Sequence, residues 1–233
     1  MGILAYQHNF PVGHGFYISP GFRLSDYAFS HSGSPLVSNL REVSALLAVE
    51  YVVDGEAVAA IELHPGAYYE KHIESNDWDI PFDVYSGVPI SKSLNGVIGG
   101  YFGRFVKHPI PIIGLIYQLN PQWRFEAIYP EPSINYKYNS RVSLKLGGEL
   151  LGNGYRTSSS SDSGHLRTKL EFFDYRVGLH VITELNNISR LTIGAGYSVQ
   201  RVFNFFDAHQ EVHLKPAPFF KVGLEVNWPS NPR

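Results

Sequence analysis

The ionisable side chains of this chain fall mostly at alternate positions of apolar segments. Glu50, Glu62, Arg124, Glu126, Lys145, Glu149, Asp174, Arg176, His180, Glu184, Lys215, Lys221 and Glu225 each occupy the polar face of a stretch that reads as strand. Such residues line a pore or solute site, or they fill an interior as a mixed-sign network, because unpaired buried charge is costly. The interleaving of both signs along neighbouring stretches favours the network. Catalysis has thinner support. A barrel enzyme acting on lipid needs a Ser or His with an orienting partner. His64, His72, His108, His209 and His213 are present, as are many serines, but no Gly-x-Ser-x-Gly elbow occurs. No enzymatic activity is expected. Neither His-Glu-x-x-His nor an acidic calcium loop occurs. His209-Gln210-Glu211-Val212-His213 sets three possible ligands on one strand face, a pattern that equally suits a polar loop base. No metal or other cofactor is expected.

The elements that carry these residues are strands. The clearest is Val212 to Trp228. Val212, Leu214, Pro216, Pro218, Phe220, Val222, Leu224, Val226 and Trp228 share one face, and His213, Lys215, Lys221 and Glu225 lie on the other. Arg41 to Val53 alternates in the same way, with Val43, Ala45, Leu47, Val49, Tyr51 and Val53 opposing Glu42, Ser44 and Glu50. So do Arg141 to Arg156, Leu166 to Leu185 and Arg190 to Phe206. Ala57 to Tyr69 puts Glu62 and His64 on one face. Shorter strands are expected over Leu4 to Phe10, Ile80 to Ile90, Gly96 to Val106, Ile110 to Leu119, Trp123 to Tyr129 and Ser133 to Tyr138. Phe16 to Phe29 is expected to carry a bulge at Pro20-Gly21. Short turns, such as Asp54-Gly55-Glu56 and Asn139-Ser140, alternate with longer polar links over 30–40, 70–79 and 157–165.

Composition bounds the alternatives. No linker divides the 233 residues, so 1–233 is expected to form one β domain. A formal charge of -2 gives no reason to expect nucleic acid as a partner. The chain has no cysteine, which excludes disulfides, thiol chemistry and Cys-type zinc sites. Tyr and Phe at 15 each and Gly at 22 suit a β-rich fold. No apolar run reaches the length a spanning helix needs.

The apolar faces still need a cover. A soluble sheet buries such a face against a second layer, and no helical layer is foreseen here. A transmembrane barrel turns it to lipid and keeps the polar face in the lumen. Aromatics near strand ends, such as Tyr68-Tyr69, Trp78, Tyr117, Trp123 and Tyr136, suit headgroup-level belts. The pattern therefore predicts an all-β fold, a closed antiparallel up-and-down transmembrane β-barrel. Thirteen extended segments are readable, and even numbers are the rule, so about twelve strands are expected with residues 1–15 not spanning. Fourteen would follow if a further strand preceded them. The alternative is a soluble or secreted β-calyx that binds an apolar ligand.

A resemblance adds to this reading. The run from His108-Pro109-Ile110-Pro111 to Asn135-Tyr136-Lys137-Tyr138 is similar to the central signature of a family of uncharacterised bacterial porin-like outer-membrane proteins. So are Gly147-Gly148-Glu149-Leu150 through Gly154-Tyr155-Arg156, Phe173-Asp174-Tyr175-Arg176-Val177-Gly178, and Gly194-Ala195-Gly196-Tyr197 through Arg201-Val202-Phe203. The match covers roughly residues 41–228. It implies a Gram-negative outer-membrane address and a cleaved signal peptide, which is not in this sequence. It supplies no catalytic residues. Lys221 to Trp228 resembles the terminal signal read by the bacterial barrel-assembly machinery, although Pro229 to Arg233 follow it. Expected partners are outer-membrane lipid, that machinery, and small solutes moving passively through a porin-like or plugged lumen.

Overall fold

Alternating apolar and polar residues form strands throughout the computed structural model, which describes residues 2–29, 37–53, 56–186 and 189–226. The side chains of residues 56–57 and 225–226 lie outside that description, as do the turn at 54–55, residues 30–36, residues 187–188 and everything from 227 on, Trp228 included. Seventeen strands and no helix occur among the described residues. They are β1 (Gly2–Gln7), β2 (Phe10–Gly13), β3 (Phe16–Ala28), β4 (Asn39–Val53), β5 (Glu56–Leu63), β6 (Gly66–Tyr69), β7 (Trp78–Asp79), β8 (Phe82–Ser91) and β9 (Leu94–Phe102). There follow β10 (Ile110–Gln118), β11 (Trp123–Tyr129), β12 (Ser133–Lys137), β13 (Val142–Arg156), β14 (Lys169–Glu184), β15 (Ser189–Phe205), β16 (Gln210–Leu214) and β17 (Ala217–Val226).

Several strands are halves of one ribbon. Both β5 and β6 lie along β4, interrupted at His64-Pro65. Likewise β16 and β17 lie along β15, interrupted at Lys215-Pro216. Proline has no N–H to give to the ladder, so pairing lapses there. Antiparallel pairing runs from β3 through β4, β5, β8, β9, β10, β11, β12, β13 and β14 to β15. Residues 2–13, expected not to span, lie as β1 and β2 along β3.

Closure differs from the expected twelve-strand antiparallel ring. Nine strands close a mixed barrel, with eight further strands outside that ring. The closing contact is a parallel pairing of Arg156 on β13 with Tyr69 on β6, which returns to β4. The length of the strands explains it. Strands β8 to β12 are short, whereas β4 with β6 and β13 to β15 run on past them and meet above their ends.

On several strands the exposed face is the more apolar one. On β4, Val43, Ala45, Leu47, Val49, Tyr51 and Val53 are exposed, while Leu40, Glu42, Ser44, Leu46 and Ala48 are buried. On β3, Ile18, Phe22 and Leu24 are exposed, while Ser19, Ser25 and Tyr27 are buried. Val177, Leu179 and Val181 on β14 are exposed as well, as are Phe220, Val222 and Leu224 on β17.

Two expectations are corrected in detail. No bulge occurs at Pro20-Gly21, since β3 pairs with β4 in unbroken register. Gly21 instead admits β1, because a Cβ there would stand 2.1 Å from the Tyr6 carbonyl oxygen. Nor does Val212 to Val226 present one continuous apolar face. Val212 and Leu214 pack against the core, whereas Phe220 is 71% exposed. The side changes across the Lys215-Pro216 interruption.

The core sits at one end, where the longer links 70–77, 103–109 and 157–168 gather. Tyr27, Leu40 and Tyr68 from β3, β4 and β6 meet Tyr155, Leu170, Phe172, Phe203 and Phe205 from β13, β14 and β15. Phe105 from the β9–β10 link joins them, wholly buried. Rings touch edge to face across the interior, Tyr27 with Phe172 at 5.5 Å and Phe29 with Phe203 at 4.9 Å.

Candidate functional site

Two kinds of interior follow from this closure. The loop end is packed with aromatic side chains. Beside it, under the short strands β8 to β11, lies a cavity of about 1220 Å³. Its wall combines Asp83, Tyr85, Tyr101, Arg124 and Glu126 with Ile110, Ile112, Ile116 and Ile128, and Lys92, Ser93 and Gln118 stand near the short turns.

The covered face carries the charged residues anticipated from alternation, gathered in separate groups. Arg124 Nε lies 2.8 Å from Glu126 Oε1, and the Ser133 hydroxyl donates to the other Glu126 oxygen at 2.7 Å. Asp174, 1% exposed, accepts twice from Arg176, at 2.9 and 2.7 Å, with Arg201 3.9 Å away. The Arg176 guanidinium also stands over the Phe219 ring. Lys221 pairs with Glu149. His180 is buried opposite Gly194, and only glycine serves there, because a Cβ would lie 2.2 Å from the imidazole Nδ1. Lys145 is half-buried opposite His180, and Glu50 is half-buried on β4.

The remaining anticipated residues stand elsewhere. Glu184 pairs with Arg190 at 2.7 Å beside a short turn, and both are about 40% exposed. Lys215 is exposed at the interruption between β16 and β17. Glu225 lies opposite Arg190 in register, and its side chain is outside the described residues. Glu62 joins residues that the sequence reading left out of the interior set. His64 Nε2 lies 3.3 Å from Glu62 Oε1 and 3.6 Å from Asp83 Oδ2. A partial signal existed, since Glu62 and His64 alternate on one face, but nothing local placed Asp83 beside them.

Other interior groups were also missed. Glu42, 3% exposed, accepts from the hydroxyls of Ser25 and Ser44 at 3.1 and 2.8 Å and faces Arg23 Nε at 3.5 Å. Its place on the Glu50 face of β4 was a usable signal.

A polar cap overlies the aromatic end. Glu70, nearly fully buried, accepts from the Ser158 N–H at 2.9 Å and the Ser161 hydroxyl at 3.0 Å. Lys71 reaches the Ser160 carbonyl and Asp162. Glu74 accepts from the Ser159 N–H at 2.8 Å. That bond, helped by Arg167 and His72 nearby, holds the Glu74 carboxyl below the usual carboxylate range. Burial pushes Asp77 in the same cap upward, and Glu131, on the short β11–β12 turn, is raised for the same reason. The serine tract 158–161, unremarkable as sequence, is what stitches the two links together.

Comparison with known protein families and with curated proteins finds no match to this chain.

Proposed function

We propose that the chain is a Gram-negative outer-membrane β-barrel, porin-like and passive, whose lumen is packed at the loop end and hollow beside it. The observation that carries this reading is the outer face of β4. From Val43 to Val53 every outward residue is apolar and exposed. Ten residue steps rise about 34 Å along a strand. At a tilt of about 40° they cover about 26 Å, against a lipid-facing band about 25 Å tall. The band stops at a charged pair, Arg41 with Asp26 at 3.5 Å, on the same face. Near the short turns it meets aromatic pairs, Phe16 with Tyr51 and Trp123 with Tyr136.

Twelve ribbons from β3 to β17 span in this reading. β1 and β2, exposed on both faces for nearly their whole length, stay at the edge. Residues 221–228 serve as the assembly signal, and small polar solutes use the cavity past Arg124, Glu126 and Asp83. No chemical step is assigned to the wall.

A second reading, a soluble calyx for an apolar ligand, draws on the isoleucines of the cavity wall. Refolding separates the two. The outer-membrane reading expects detergent dependence and heat-modifiable migration in gels; a monodisperse monomer without detergent sinks it. Planar-bilayer recording then tests passage. Small, steady conductance steps are expected, and a silent bilayer with folded, inserted protein would leave a plugged barrel in place of a channel.

A further inference from the structure

We propose that Glu62, His64 and Asp83 form a divalent transition-metal site beside the cavity, whose lining Asp83 joins. This stands whether or not the outer face meets lipid. Sheet register sets the trio. Glu62 on β5 is the direct cross-strand partner of Asp83 on β8. His64 follows two residues after Glu62, and its backbone is held on both sides: its N–H donates to the Pro81 carbonyl at 2.8 Å, and its carbonyl accepts from the Tyr68 hydroxyl at 2.8 Å.

The side chains converge. One ligand atom from each of the three lies within 4.8 Å of the other two. A tetrahedral zinc ion with bonds of about 2.0–2.2 Å separates its ligand atoms by about 3.4 Å. The Nε2 distances to the two carboxylates, 3.3 and 3.6 Å, match that spacing.

The independent observation is the state of that nitrogen. Nε2 of His64 is shut off from solvent and has no hydrogen-bond partner among the described residues. A buried polar atom left unpaired costs stability, yet this one points at two carboxylate oxygens without hydrogen-bond alignment. An ion between them satisfies all three and neutralises the paired negative charge. The oxygens of Glu62 are already divided between tasks. Oε1 faces His64, while Oε2 accepts from the Gln7 amide at 3.4 Å, the outer support that orients a metal-binding carboxylate.

The site is reachable. Asp83 lines the cavity, and Glu62 and Asp83 are each about a quarter exposed, against 12% for His64. A fourth ligand, water or a solute anion, would enter from the hollow side. One imidazole with two carboxylates suits zinc and its first-row neighbours better than calcium or magnesium, which favour all-oxygen shells.

The test uses the full chain without an affinity tag, refolded in detergent and freed of metal. Titration with Zn²⁺ by calorimetry should give one ion per chain. His64→Gln and Asp83→Asn should each weaken binding by about 100-fold or more, since even loss of an outer partner costs about 10–100-fold. Gln7→Ala should weaken it by about 10-fold. His213→Gln should change nothing, although His213 lies 2.9 Å from Glu211. X-ray absorption on the zinc-loaded wild type needs no variant and should report one imidazole among oxygen ligands. Absence of one-to-one binding, wild-type affinity in Asp83→Asn, loss in His213→Gln, or two imidazoles on the ion would each overturn the proposal.

Discussion

At the loop end, Tyr68, Tyr155, Phe172 and Phe203 meet ring against ring and are almost wholly shielded from solvent. Under β8 to β11, side chains of the same covered face, such as Ile112, Ile116 and Arg124, instead border empty volume. Alternation is equally regular in both regions. What differs is strand length. Strands β13, β14 and β15 run 15, 16 and 17 residues and reach the opposite wall, whereas β11 and β12 run 7 and 5. Where long ribbons lean together, large rings exclude water. Where short ones stop, polar side chains pair locally and a hollow remains.

Truncation should show the contrast most strongly. Phe203→Ala is expected to cost about 3–5 kcal/mol of unfolding stability, the usual range for a buried ring. Ile116→Ala on the cavity wall should cost less than about 1 kcal/mol, because little packs against it. Denaturant titration of both in the same detergent makes the comparison, and equal losses would mean that the cavity wall is as tightly packed as the core.

Charge pairs should divide in the same way. Asp174→Asn removes the carboxylate that faces Arg176 and Arg201 in a buried setting, and breaking such a pair costs about 3–5 kcal/mol. Glu126→Gln, at a partly exposed pair facing the cavity, should cost about 1 kcal/mol or less.

The outer face gives the next effect. Leu47→Arg at the middle of the β4 band should cost about 2–4 kcal/mol in lipid vesicles. At an exposed site facing water the same change would fall within about 0.5 kcal/mol. The small value would remove lipid from the account while leaving the contrast between the two interiors standing.

Acid should loosen the cap before the aromatic layer beneath it. Glu74 has its folded-state pKa lowered, so its contribution is fully present above the ordinary value of 4.5 and is lost as pH falls through the lowered one. Asp77 is raised by burial, so its penalty at neutral pH is relieved on acidification, which partly offsets the loss. Amide exchange at Ser158 and Ser159, corrected for intrinsic rates, is expected to rise below pH 4.5. Glu74→Gln should bring that rise to neutral pH. Exchange at Phe172 and Phe203 should stay slow in both.

Much of the fold was legible residue by residue. Trp123 to Tyr129 is a strand with the bounds its sequence suggested, and Arg41 to Val53 sorts its faces as its alternation required. The most regular stretch, Val212 to Trp228, misled in one respect. A period of two assumes an unbroken pleat, and Pro216 interrupts it, so Val212 and Leu214 turn to the core while Phe220 and Val222 turn outward. Candidate chemistry was half legible. Alternation marked Glu62 and Arg124, and no local pattern joined His64 to Asp83 or Glu42 to Arg23, because those partners come from other strands.

Sequence alone determined that the regular elements are strands, where most of the ribbons turn, and which side of an unbroken ribbon is greasy. These are local matters of side-chain period, turn residues and proline. Tertiary structure alone decided that β13 meets β6, that the aromatic ends converge, and that Asp83 stands opposite Glu62. Those contacts join residues far apart in the chain, and their geometry is set by register and by how far each ribbon extends past its neighbours, quantities that no window of sequence contains.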